Sequence, residues 1–307
     1  MHARARIVDI LRDFAEVHRL VHELAARHGR GELRFPKLTA LIGEDEGSVL
    51  FRLKERCHAL FRGPSNERGP SHREALFDLA VGSLFHESMK LRENLYQREV
   101  YGPRVRALHS SAGQESKALF DEFEKMLGAV GKRLDEAVRE VESLTQRTAD
   151  QLRLLVAEAA DDSCARFLTE RAHEVEAIFG APLETLLEEA YGSVGTGLER
   201  AGRAYLASGS FEASADRLGR ALSEPDASAE LTPLREYALG MRDYVRRDYA
   251  TSVEHLIAWA DAQPEAALLP LARDTLAGIV QLAGSDADTA AKARALRDRI
   301  GGAEGGS

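Results

Sequence analysis

The sequence predicts an all-α protein: an N-terminal helical bundle containing one long helix, followed by a short array of helical hairpins. Two observations carry that expectation. From Ile7 to Ile300 the apolar residues recur every three or four positions, which lines one face of a helix, whereas a half-buried strand alternates every two. The nine prolines fall mainly between these periodic segments, where a missing N–H interrupts no helical ladder.

Ile7, Leu11, Phe14, Val17, Val21 and Leu24 form the first stripe, which stops at Gly29-Arg30-Gly31. A short segment around Leu38, Leu41 and Ile42 follows Pro36. Ser48 then serves as N-cap for a helix carrying Val49, Leu50, Leu53, Cys57, Leu60 and Phe61. The stretch from Gly63-Pro64 to Gly69-Pro70-Ser71 reads as an exposed loop. A helix over roughly 72–100 is expected to bury Leu76, Leu79, Val81, Leu84, Met89, Leu91 and Leu95, and it meets Gly102-Pro103.

The longest helix is expected over about 114–158, with Leu119, Phe123, Met126, Val130, Leu134, Val138, Val141, Leu144, Leu152 and Leu155 on one side. Gly128 and Gly131 weaken its centre and Thr148 interrupts the apolar run, which favours a bundle helix over a coiled-coil seam. Asp161-Asp162-Ser163 starts one further helix carrying Phe167, Val175 and Ile178. Gly180-Ala181-Pro182 marks a boundary, giving a bundle domain over 1–180, a repeat domain over 181–300 and a flexible Gly-rich tail over 301–307.

The formal charge of −9 over 307 residues would repel nucleic-acid backbones and anionic lipid unless the basic residues were segregated, and Arg and Glu alternate along most helices. No nucleic-acid partner is expected. Two cysteines without a CxxC spacing suggest neither a disulfide framework nor a cysteine zinc site. Charged residues interrupt the N-terminal apolar stretch, and nothing approaches 18 uninterrupted apolar residues, so a cytoplasmic protein without a membrane span is expected.

Residues 198–221 place Leu198, Gly202, Tyr205, Gly209, Phe211, Leu218 and Ala221 in the order helix, tight turn, helix. A second copy begins 38 residues on, with Leu239, Gly240, Tyr244, Asp248, Tyr249, Leu256 and Pro264. This resembles the tetratricopeptide repeat, whose period is about 34 residues. The loop around Pro225-Asp226-Ala227-Ser228 accommodates the longer spacing. The second copy departs from the family pattern at Asp243 (an aromatic position), Arg247 (the turn Gly) and Trp259 (a small residue). Helices near 267–282 and 288–300 follow as a degenerate repeat or cap, the kind of end such arrays need to cover an apolar face.

The resemblance implies a concave surface lined by the first helix of each repeat. It would take Thr196, Glu199, Arg203, Leu206 and Ala207 from the first copy, Leu234, Tyr237, Met241, Tyr244 and Val245 from the second, and Leu268, Leu271 and Ile279 from the third. Of these, Arg203, Leu234, Tyr237, Met241, Tyr244 and Val245 are the candidate partner-binding residues, and such an apolar surface suits an amphipathic helix or peptide of another protein. The same residues fit a covered core equally well. The expectation is thus a non-enzymatic adaptor or scaffold with no cofactor.

The alternative is a di-metal carboxylate enzyme in the N-terminal bundle. Glu55 and His58, with Glu170 and His173, have the acid-x-x-His spacing of such sites, and Glu87 lies on an intervening helix. Acids and histidines are frequent enough here for such pairs to arise by chance. His18 and His22, one helical turn apart, lack an HExxH context and a third ligand, and read as surface residues. His86, Glu87 and Lys90 on a partly apolar helix read as a structural pairing within a buried polar cluster. No phosphate-binding loop, nucleophile elbow or kinase signature is present in the sequence.

Overall fold

The computed structural model describes residues 6–42, 47–61, 69–111, 117–225, 227–262, 265–284 and 286–302. Part of the loop expected from Gly63, and also Asp226, Pro264 and residues 303–307 of the expected tail, lie outside them. Among the described residues every regular element is helical and no strand occurs. The chain divides into two compact units, one of Met1–Ala159 with His173–Ala181, the other of Ala160–Ala172 with Pro182–Ser307.

The first unit holds α1 (Ile7–Gly29), α2 (Val49–Phe61), α3 (His72–Tyr96), α4 (Gly102–Ser111), α5 (Lys117–Ala159) and α7 (Ala172–Phe179). Helix α1 packs on α2 and α5, and α3 runs along α5. Their shared core includes Phe14, Val17, Leu50, Leu53, Val81, Leu84, Leu91, Val141 and Leu152, all fully or nearly fully buried. Local sequence starts these helices where the orphan N–H groups find acceptors. Ser48 Oγ accepts from the Phe51 amide at 3.3 Å, and Ser71 forms a capping box with Glu74. On α1 the buried Asp13 faces Arg56 at 2.8 Å and Arg52 at 3.8 Å. Burial pushes its carboxyl upward from the usual range, and the two guanidinium groups pull it back.

Three expectations for this unit are corrected by packing. Helix α3 buries Phe77, Val81, Leu84, Ser88, Leu91 and Leu95, a face from which Leu76 and Leu79 point away into solvent. His86, Glu87 and Lys90 give the expected structural pairing but not a buried one: Lys90 pairs with Glu87 at 2.7 Å on the surface. The helix does not simply end before Gly102-Pro103. It passes through a π-turn over Gln97–Tyr101, in which the Gly102 amide donates to the Gln97 carbonyl, before continuing as α4. Pro103 explains the insertion, because it has no N–H for the carbonyl four residues back and its ring crowds that carbonyl.

Helix α5 is continuous for 43 residues through Gly128 and Gly131. Thr148 does not break it. Its hydroxyl donates to the Leu144 carbonyl at 2.6 Å, and Thr145 does the same to Val141 at 2.8 Å, so both sit buried in the apolar seam without an unmet donor.

The single helix expected after Asp161 is two. Asp161 caps the first, accepting from the Cys164 amide at 2.9 Å, but Arg171 leaves the helical region and separates α6 (Asp162–Glu170) from α7. Helix α6 belongs to the second unit although it lies inside the 1–180 segment read as bundle.

The second unit continues with α8 (Leu183–Tyr191), α9 (Val194–Ala207), α10 (Phe211–Ala221), α11 (Leu231–Val245), α12 (Tyr249–Asp261), α13 (Leu269–Leu282) and α14 (Ala287–Gly302). Each of the pairs α9–α10, α11–α12 and α13–α14 packs as a hairpin, with α6 and α8 against α9. The terminal helix takes in Gly301 and Gly302, so the helix extends into the segment read as tail.

Candidate protein-binding surface

The first two hairpins share their closest contacts. Ser214 Oγ donates to the Gly202 carbonyl at 2.8 Å, and 38 residues later Ser252 Oγ donates to Gly240 at the same distance. A Cβ built at Gly202 would stand 2.7 Å from Leu218 Cγ, and one at Gly240 would stand 2.8 Å from Leu256 Cγ. Both glycines therefore exist to let two helices close on each other. The turns repeat too: Gly209, Arg247 and Gly284 have φ of 74°, 65° and 58°. Arg247 is the only non-glycine with positive φ among the described residues, and Gly284 is a third turn glycine that the sequence reading passed over.

Asp243 stands where the first hairpin has the buried Tyr205, and the substitution is chemically complete. The Arg242 guanidinium donates to both Asp243 oxygens at 2.7 and 3.0 Å, and His255 Nε2 lies 3.6 Å from Asp243 Oδ2 while its Nδ1 lies 2.6 Å from Glu236 Oε2. The two acids flank opposite edges of one imidazole, which holds α12 to α11.

Burial sorts the candidate partner-binding residues into two groups. Leu234, Tyr237 and Met241 are core, with Tyr237 wholly inaccessible. Tyr237 stacks at 5.0 Å on Trp259, and both belong to a cluster with Val253, Leu256, Leu276 and Ile279. These three residues are corrected from surface anchors to core, and α12 and α13 cover Tyr237 and Met241. The Tyr237 hydroxyl is buried with no hydrogen-bond partner, and burial pushes its ionisation up to about 12. Ile279, expected in the groove from the third pair, is buried in the same cluster.

The remaining candidates stay accessible. Arg203 pairs with Glu199 and with Glu265, both at 2.9 Å, and these carboxylates raise its affinity for the proton against the opposing effect of burial. Thr196 takes part in the α9 cap with Ser193, Leu206 and Leu268 are half-buried against the core, and Ala207 is exposed. Tyr244 is half-buried, while Val245 is 66% exposed and Leu271 47%.

Two contacts fix how α11 and α13 lie together. Thr275 Oγ1 donates to Met241 Sδ at 3.4 Å, and the Tyr244 hydroxyl occupies the space at Gly278, 2.6 Å from a built Cβ. A step of three residues on one helix matches three on the other, so the helices run parallel and in register. One turn beyond Met241 comes Val245, and one turn beyond Gly278 comes Leu282, which is 57% exposed. Leu271 lies one turn before Thr275. The seam thus leaves its core at both ends as exposed aliphatic side chains. Sequence reading found Val245 and Leu271 but missed Leu282, whose i+4 spacing from Gly278 was the available signal.

No family model, curated protein or solved structure matches this chain. Both cysteines are buried free thiols, and burial pushes the Cys164 thiol up to about 12, away from its reactive thiolate form. Of the acid-histidine pairs of the alternative reading, Glu170 pairs with Arg166 at 3.5 Å, and His173 is fully exposed, 3.7 Å from Glu176. Glu55 is exposed, and His58 lies 3.6 Å from Asp78. Among the described residues no group of three or more His, Cys, Asp or Glu is placed to hold a metal, and no helix is long and apolar enough to cross a membrane.

Proposed function

We propose that the C-terminal unit is a tetratricopeptide-like array serving a non-enzymatic adaptor or scaffold, and that it holds an amphipathic helix of a partner protein. The observation that carries this is the exposure of Val245, Leu271 and Leu282 along the α11–α13 seam, beside the half-buried Tyr244. Aliphatic anchors about one and two turns apart match the spacing at which a partner helix presents its own apolar residues. The Glu199–Arg203–Glu265 group supplies charge of both signs on the same array, suited to fixing orientation more than affinity. We place the protein in a reducing, cytoplasmic compartment, consistent with two buried cysteines held as free thiols.

Met241 and Tyr237 support the surface from beneath and do not touch the partner. Affinity capture with the intact chain, compared with a Val245→Ser/Leu282→Ser variant of unchanged stability, tests it. A partner retained by the wild type and lost by the variant supports the reading, and equal capture by both removes this surface from consideration.

A further inference from the structure

We propose that His18 and His22 form a chelating pair for a divalent transition-metal ion on α1, with Zn2+ as the reference ion. They lie one helical turn apart, and their Nε2 atoms approach to 3.1 Å with the ring centroids at 4.4 Å and the planes 69° apart. Zinc binds imidazole nitrogen at about 2.0 to 2.1 Å, so two nitrogens sharing one ion stand about 2.9 Å apart at a right angle and about 3.4 Å apart at a tetrahedral angle. The observed separation falls inside that interval.

The two rings differ in a way that suits loading. His18 is buried, which fixes one ligand in place, while His22 is exposed and can turn about its outer torsion to aim its lone pair at an ion beside the pair. Burial first, and His22 second, lower the His18 ionisation to about 4. The carboxylate of Glu174 on α7 acts on His18 in the opposite sense, favouring positive charge there.

As a hydrogen-bonded pair, one Nε2 carries the proton shared with the other. On metal binding that proton passes to Nδ1 of the same ring, and both Nε2 lone pairs face the ion. Two imidazoles leave the remaining coordination positions to water. Such a site is reversible, and imidazole donors favour copper, nickel and zinc over magnesium or calcium.

The test is calorimetric titration of ZnCl2 into the intact, chelator-stripped protein in a non-coordinating buffer at pH 7.5, repeated with His22→Gln and with His173→Gln. His22 is the informative position for binding because its exposed ring can be replaced with little effect on the core, whereas replacing the buried His18 changes stability as well. One equivalent is expected for the wild type and for His173→Gln, with affinity at least tenfold lower for His22→Gln. Zinc should also raise the unfolding midpoint of the wild type and not that of His22→Gln. Zinc uptake by His22→Gln equal to the wild type, or no uptake by the wild type, overturns the proposal and leaves a hydrogen-bonded histidine pair.

Discussion

The Ser252 hydroxyl donates to the Gly240 carbonyl at 2.8 Å, joining the second helix of one hairpin to the first through a bond that Ser214 and Gly202 form 38 residues earlier. The bond forms only because neither glycine has a Cβ to hold the helices apart. The repeat in this protein is therefore a repeat of close approach, and its consequences can be measured.

Gly202→Ala and Gly240→Ala should each destabilise the second unit by about 1 to 3 kcal/mol, the usual cost of overpacking. A built Cβ meets Leu218 or Leu256 below 3 Å at these positions. Gly128→Ala on α5 meets nothing within 4 Å and should instead stabilise by about 0.5 to 1 kcal/mol through helix propensity. Urea denaturation of the intact chain distinguishes the signs, and a neutral Gly202→Ala would contradict the repeat geometry.

Met241→Ala and Tyr237→Ala should each cost about 2 to 5 kcal/mol, the range for emptying a packed site. Tyr237→Phe should cost nothing or stabilise slightly, since the lost hydroxyl is buried without a partner. Unfolding midpoints for the three variants settle the matter. An unaffected Tyr237→Ala would return that ring to the surface.

Arg247 carries a turn at φ 65° that glycine fills in the other two hairpins. Arg247→Gly should stabilise by about 0.5 to 1 kcal/mol, because relief of the left-handed penalty exceeds the added freedom of the unfolded chain. A thermal midpoint that falls on this substitution would show that the Arg247 side chain contributes something the turn geometry does not explain.

His18 has a folded ionisation near 4 against an ordinary value of 6.5, so the unfolded chain binds more protons between these values. Stability contributed by the neutral ring is full above pH 6.5 and is lost as pH falls toward 4. The loss is on the order of 2 kcal/mol, allowing for partial solvent screening. A His18→Gln variant should show a flatter stability profile across that window in chelator-treated buffer. Parallel profiles for variant and wild type would remove His18 from the acid response.

Much of this architecture was legible in local chemistry. The spacing of Leu11, Phe14, Val17 and Val21 marks a helix whatever packs on it, and Gly202, Gly209, Phe211 and Leu218 mark a tight hairpin because each relieves a steric constraint inside the hairpin itself. What was not legible depends on partners distant in sequence. Phe167 and Leu168 of α6 form an apolar face that would suit either unit, and only the tertiary contact with α9 assigns it. Tyr237 and Val245 occupy the same helix with similar local surroundings, yet α12 and α13 cover the first and leave the second open. Periodicity identifies a face and does not say what covers it.

The most direct measurement is quantitative affinity capture using the intact wild type, Val245→Ser/Leu282→Ser and Leu271→Ser, with unfolding midpoints recorded for all three. The account predicts that at least one protein is retained by the wild type and depleted tenfold or more by both variants, while their midpoints stay close to the wild type, because exposed anchors contribute to association and little to folding. A set of captured proteins identical across wild type and variants would contradict the claim that the exposed ends of the α11–α13 seam hold a partner helix.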